Sequence, residues 1–202
     1  MGGHGSRRAG HGDHWSGLRG ARLPVALVEP TCPRSRRVTS PPWEDADDEE
    51  LVGAVLEELR RRGQTLATAE SLTAGMLSML LTSVSGASSV VRGGLVVYAT
   101  DLKSSLAGVS SELLARHGAV HPAVAGQLAE GARLRCGADW GVGLTGVAGP
   151  DWQDGVPPGT VYLGFVGPEG SVIRTLRLAG DRWAVRRGAA SCALEHLAGL
   201  LR

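Results

Sequence analysis

Lys103 is the only lysine in a chain of 202 residues, and arginine supplies the other cationic side chains. A guanidinium stays protonated and cannot act as a base, whereas a desolvated lysine can lose its charge. A chain that uses arginine wherever a cation suffices, and lysine once, points to an amine that takes up a proton. Tyr98, one of two tyrosines, stands five residues before it. Ser71 lies upstream in Ala67-Thr-Ala-Glu-Ser-Leu-Thr-Ala-Gly75. A serine needs a base to become a nucleophile, and a lysine kept neutral by burial can serve. Thr100, three residues before Lys103, has the spacing of a second nucleophile, although a helix border suits it better.

For these groups to meet, the chain must bring strand ends to one edge of a sheet. Leu66 to Ala69 is a short apolar run, and Ser71 follows where a helix would start. Gly94 to Tyr98 reads as a buried strand with Lys103 just beyond it. Asp139 to Thr145 reads as another, ending in Thr145-Gly-Val-Ala-Gly-Pro150. Small residues in that turn let the backbone approach a ligand, and its N–H groups could hold an anion. Free N–H groups of Leu72 or Thr73 could stabilise an oxyanion. Ligands of open α/β folds bind at this carboxyl edge.

Helical spacing marks Asp45 to Arg62, with acids first and arginines last, and Thr73 to Val84. Shorter helices are expected from Asp101, from Ser110 or Ser111, and from Pro122 to about Cys136. Thr160 to Val166 and Ser171 to Leu178 form a hairpin about Gly167-Pro-Glu-Gly170, and Asp181 caps a last helix. Alternating elements with a closing hairpin predict a three-layer α/β/α sandwich with a mixed, mostly parallel sheet of about five strands.

Residues 1–42 stand apart, with seven arginines, two acids and no apolar periodicity. They read as a disordered tail before a domain at 43–202. A transit peptide, or a true start further downstream, is an alternative account of the tail. A net charge of +1 gives no electrostatic case for nucleic acid or a membrane surface. No apolar run is long enough to span a bilayer. Cys32, Cys136 and Cys192 are scattered, which suits reduced thiols in a cytoplasm and no cysteine-based zinc site. The histidines lack metal-ligand spacing. Gly141-Val-Gly-Leu-Thr-Gly146 fits a dinucleotide fingerprint, but its glycines lie in a strand and Pro150 follows instead of a helix. The Tyr98–Lys103 interval is one residue too long for a short-chain dehydrogenase.

Taken together, A-E-S-x-T-x-G, G-G-x-V-x-Y-x-x-x-x-K, T-G-x-A-G-P, G-T-V and G-D-R occur in order over about residues 48–202. This set resembles the CinA C-terminal domain, the family of PncC-type nicotinamide mononucleotide amidohydrolases. The resemblance implies an α/β/α fold, usually as a homodimer. It also implies hydrolysis of the nucleotide's carboxamide to nicotinate mononucleotide and ammonia, with no metal and no organic cofactor. It makes Ser71 the nucleophile, Tyr98 and Lys103 the proton-handling pair, and Arg182 a substrate-holding arginine. Thr73, Gly75, Thr145, Gly146, Ala148 and Gly149 fall in its substrate-binding motifs. The chain departs from the family pattern at Leu72 and Ala74, in the loop Asp151-Trp-Gln-Asp-Gly-Val-Pro157, and at His121. Two other readings stay open: a nucleotide-binding or regulatory protein on the same fold, and an amidase for another small amide.

Overall fold

The computed structural model describes residues 46–202. The expected tail and the onset of order near Trp43 lie outside the described residues. Twelve segments follow in order: α1 (Ala46–Arg62), β1 (Leu66–Glu70), α2 (Met76–Thr82), a 3-10 turn (Ala87–Ser89), β2 (Val91–Val96), α3 (Thr100–Ser105), α4 (Ser111–His117), α5 (Pro122–Cys136), β3 (Trp140–Gly146), β4 (Thr160–Gly167), β5 (Gly170–Arg177) and α6 (Arg182–Leu200). The strands form one sheet in the order β2-β1-β3-β4-β5. β1 runs parallel to β2 and β3, whereas β4 is antiparallel to both β3 and β5. The expected mixed sheet of five strands is observed.

The central strands β1 and β3 are buried along their whole length. One face of the sheet carries α1, α2 and α6 over a core that includes Leu56, Leu59, Leu77, Leu144, Leu163 and Leu194. The other face carries α5, with Ala67, Ala69, Val124 and Leu128 between helix and sheet. Glycines set how close α5 lies. A Cβ on Gly143 would stand 2.3 Å from the Ala125 carbonyl oxygen, and one on Gly164 would meet the same atom at 2.3 Å. Side chains there would lift the helix off the strands.

Expected caps are found where the sequence put them. Ser110 accepts from the Leu113 N–H, and the Asp181 carboxylate accepts from the Ala184 N–H at 2.9 Å. His121 caps α5 through Nδ1, with Pro122 in the first turn. A buried ion pair between Asp48 and Arg187 joins α1 to α6, and Arg187 also donates to the Ser191 hydroxyl. Among the described residues, no helix is long and apolar enough to cross a membrane.

Two expectations need correction. The helix expected from Thr73 begins only at Met76, because Ala74 and Gly75 take positive φ (51° and 94°) in a turn that re-aims the chain. Cys192 is disulfide-bonded, so the expectation of reduced thiols fails there, whereas Cys136 is free.

Candidate active site

The sheet brings five strand ends to one rim. β1, β2 and β3 are parallel, with Glu70 paired to both Val96 and Leu144, so their carboxyl ends coincide. β4 starts at the same edge, since Gly146 faces Val161, and β5 ends there, since Thr160 faces Arg177. The segments that leave or enter this rim carry Ser71, Tyr98, Lys103, the 147–159 connection and Arg182. A cleft of about 330 Å³ opens between them. Ser71, Tyr98, Lys103, Gly146, Ala148, Gly149 and Arg182 all line it.

Lys103 projects from α3 and is 1% exposed. Its Nζ donates to the carbonyl oxygens of Val97 (2.9 Å) and Tyr98 (3.0 Å). Burial removes water from the ammonium and lowers its pKa to about 8, with the Asp101 carboxylate opposing the shift. A neutral amine has two N–H donors and one lone pair. Two carbonyls can use both donors, which leaves the lone pair as the free valence. The backbone that ends β2 thus orients the amine.

Ser71 follows β1 directly, with its N–H on the Leu144 carbonyl at 3.0 Å. The residue is 8% exposed, and its hydroxyl makes no hydrogen bond among the described residues. The turn behind it is built by Glu70, a fully buried carboxylate. Glu70 accepts from the N–H groups of Gly75 (3.0 Å), Leu77 (3.1 Å) and Ser78 (2.8 Å) and from the Ser78 hydroxyl (2.6 Å). The start of α2 is therefore occupied by the protein's own carboxylate. The N–H groups of Leu72 and Thr73, ahead of the helix, have no acceptor among the described residues. From the other side, Arg186 of α6 donates to the carbonyls of Leu72 (2.8 Å) and Thr73 (3.1 Å). The turn that carries Ser71 is pinned by an acid within and an arginine without.

Tyr98 and Arg182 make a second pair. Tyr98 is 58% exposed, and its hydroxyl accepts from Arg182 Nη2 at 3.0 Å. Arg182 Nη1 donates to the Gly149 carbonyl at 2.8 Å. It is the Tyr98 carbonyl, not its hydroxyl, that meets Lys103. The N–H groups of Ala148 and Gly149 are buried with no acceptor among the described residues. They are ready donors for an anion.

Three residues expected at the substrate lie off the cleft. Thr73 is fully buried and its hydroxyl finds no partner among the described residues. Gly75 serves the turn through its positive φ and its bond to Glu70. Thr145 spends its hydroxyl on the Ala119 carbonyl at 2.7 Å, tying β3 to the α4–α5 link. Thr100 sits exposed in the first turn of α3 and is not on the cleft wall. The cleft adds Leu72, Ala119, Val120, Asp151, Trp152 and Gln153. Glu70 and Arg186 also escaped sequence reasoning. Glu70 stood in the same motif as Ser71, and an acid at a buried strand end was the available signal.

A family model described as the CinA C-terminal domain matches residues 48–201. A CinA-like protein of Frankia casuarinae is 47% identical over 154 residues, which are 76% of this chain and 36% of that protein. A CinA-like protein of Anaeromyxobacter dehalogenans is 48% identical over 155 residues, 76% of this chain and 38% of that protein. The chain thus spans well under half the length of these curated relatives. Among solved structures, a competence/damage inducible protein of Agrobacterium tumefaciens superposes with a TM-score of 0.75 at 34% identity, covering 78% of this chain and 98% of that one. A CinA superfamily protein of Klebsiella pneumoniae gives 0.74 at 32%, covering 76% and 97%.

Proposed function

The chain belongs to the CinA C-terminal domain family, and from that premise we propose that it is a serine amidohydrolase that deamidates nicotinamide mononucleotide. The observation that carries the reading is the buried lone lysine, with its two donors held by carbonyls, in the same cleft as a free serine hydroxyl.

The neutral Lys103 amine takes the Ser71 proton as the serine oxygen attacks the carboxamide carbon. The negative charge that forms on the carbonyl oxygen is met by the unpaired N–H groups of Leu72 and Thr73. The protonated lysine then delivers a proton to the amide nitrogen, the C–N bond breaks, and ammonia leaves. Water, deprotonated by the same amine, attacks the ester carbon; the protonated lysine returns that proton to the Ser71 oxygen as the ester C–O bond breaks, and the product leaves as its carboxylate. Lys103 ends as it began. Arg182 and the N–H groups of Ala148 and Gly149 hold the phosphate. Tyr98 sets the direction of Arg182 through its hydroxyl, so its contribution falls on substrate positioning. The proposed assembly is a homodimer, which sedimentation measures.

Ammonia release from nicotinamide mononucleotide by purified protein tests the activity. Wild-type protein is expected to release it, and Ser71→Ala and Lys103→Arg to release none at matched folding. Undiminished release by Lys103→Arg would remove the lysine from the reaction, because a guanidinium cannot accept the proton. No release by folded wild-type protein would remove this substrate.

A further inference from the structure

Trp152 stands on the cleft wall at 67% exposure, in a chain whose aromatic content is only 4%. Trp140 and Phe165 are spent on the core, yet the largest side-chain type is left in water at the site. Its indole makes no ring or cation contact among the described residues. The segment that follows it is tied by backbone hydrogen bonds. Gln153 and Val156 exchange two backbone hydrogen bonds, 3.1 and 2.8 Å, across a two-residue turn. Asp154 and Gly155 both take positive φ there (52° and 76°), the geometry of a tight hairpin turn. The tip is seated on the end of α4: a Cβ at Gly118 would fall 2.8 Å from Asp154 Oδ2. A short hairpin with its tip against α4 restrains the backbone next to Trp152, which lowers the ordering cost of binding.

The neighbouring charge selects the ligand. Asp151 lines the same cleft, is exposed, and has no ion pair among the described residues. An electron-rich indole face beside an unpaired carboxylate favours a flat cation. Arg182, elsewhere on the wall, favours an anion. We propose that Trp152 and Asp151 form a cation-selective stacking platform for the substrate's positively charged pyridinium ring, so that the protein distinguishes oxidised from reduced nicotinamide nucleotides. The identity of the ring rests on the amidohydrolase reading. The platform itself rests on the hairpin.

The test is calorimetric binding of nicotinamide mononucleotide and of its reduced form to the full chain carrying Ser71→Ala, which prevents turnover. The two ligands share size and phosphate, but the reduced ring is neutral. The oxidised form is expected to bind about tenfold more tightly, the scale of a partly desolvated cation–π contact. Adding Trp152→Leu should bring the ratio close to one, Trp152→Phe should keep part of it, and Asp151→Asn should reduce it. All four proteins should unfold at the same temperature, since both side chains are exposed. Equal binding of the two forms, a ratio that survives Trp152→Leu, or binding of neither form would each overturn the platform. Ammonia release by wild-type protein reports separately on the activity. Release without discrimination keeps the amidase and discards the platform. Discrimination without release does the reverse.

Discussion

If Lys103 is the base, the rate must follow its neutral fraction. Burial holds its pKa at about 8, against an ordinary lysine value of 10.5. At that pKa about one tenth of the amine is neutral at pH 7 and about nine tenths at pH 9. An ordinary lysine would be neutral at only about 0.03% at pH 7, so burial enlarges the working population about 300-fold. The expected profile of kcat/KM for nicotinamide mononucleotide therefore rises nearly tenfold from pH 7 to pH 9, with a midpoint near 8 and a plateau above. The sign follows from the chemistry: the ammonium has no lone pair, so activity falls as pH drops through the folded-state pKa. Continuous ammonia detection, started above pH 7 so that the phosphate charge is constant, measures it. Asp101→Asn removes the carboxylate that favours the ammonium and should move the midpoint down. Two results refute the reasoning. A flat profile between pH 7 and 9 shows that no group with this pKa controls the rate. A midpoint unmoved in Lys103→Arg shows that the titrating group is another one.

Arg182→Ala frees the Gly149 carbonyl and the Tyr98 hydroxyl and removes a cation from the cleft; KM is expected to rise at least tenfold with a smaller change in kcat, and an unchanged KM argues against a phosphate role. Glu70→Ala leaves three N–H donors at the start of α2 without their acceptor, at about 1–3 kcal/mol each when unsatisfied; urea unfolding should show a loss of about 3 kcal/mol or more, together with loss of turnover. Gly143→Ala forces a Cβ to 2.3 Å from the Ala125 carbonyl oxygen and 2.5 Å from the Ala129 nitrogen; the overpacking should cost about 1–3 kcal/mol in the same measurement.

Most of the frame was legible because it rests on periodicity and caps. The buried runs of β1 and β3, the Gly167–Gly170 turn, and the Ser110 and Asp181 caps all use local chemistry that a sequence displays. The lone lysine, Tyr98 and the serine at a strand end can be assigned to one rim because parallel strands align their ends, whereas Arg182 is implied only by the family resemblance. What escaped depends on contacts far apart in sequence. Thr145 looked like a ligand-facing strand end, but the α4–α5 link lies close enough to claim its hydroxyl. Helical spacing puts Thr73 in a helix that the positive φ of Ala74 and Gly75 delays. Glu70 stands out only as an acid at a buried strand end, a signal that does not say that it folds back onto the helix after it. Arg186 reaches the nucleophile turn from 113 and 114 residues away, a distance no motif encodes.

The glycine contacts between β3, β4 and α5 have a genetic consequence. Gly143 and Gly164 do not line the cleft, yet they set how close α5 lies to the sheet, and the link just before α5 carries the Ala119 carbonyl that meets Thr145 and the cleft residue Val120. A heritable change to alanine at either position would leave every reacting group intact. Under the proposed activity, it would be expected to lower turnover as well as stability, because α5 and the link before it would have to move. A screen that scored only cleft residues would misfile such alleles as silent.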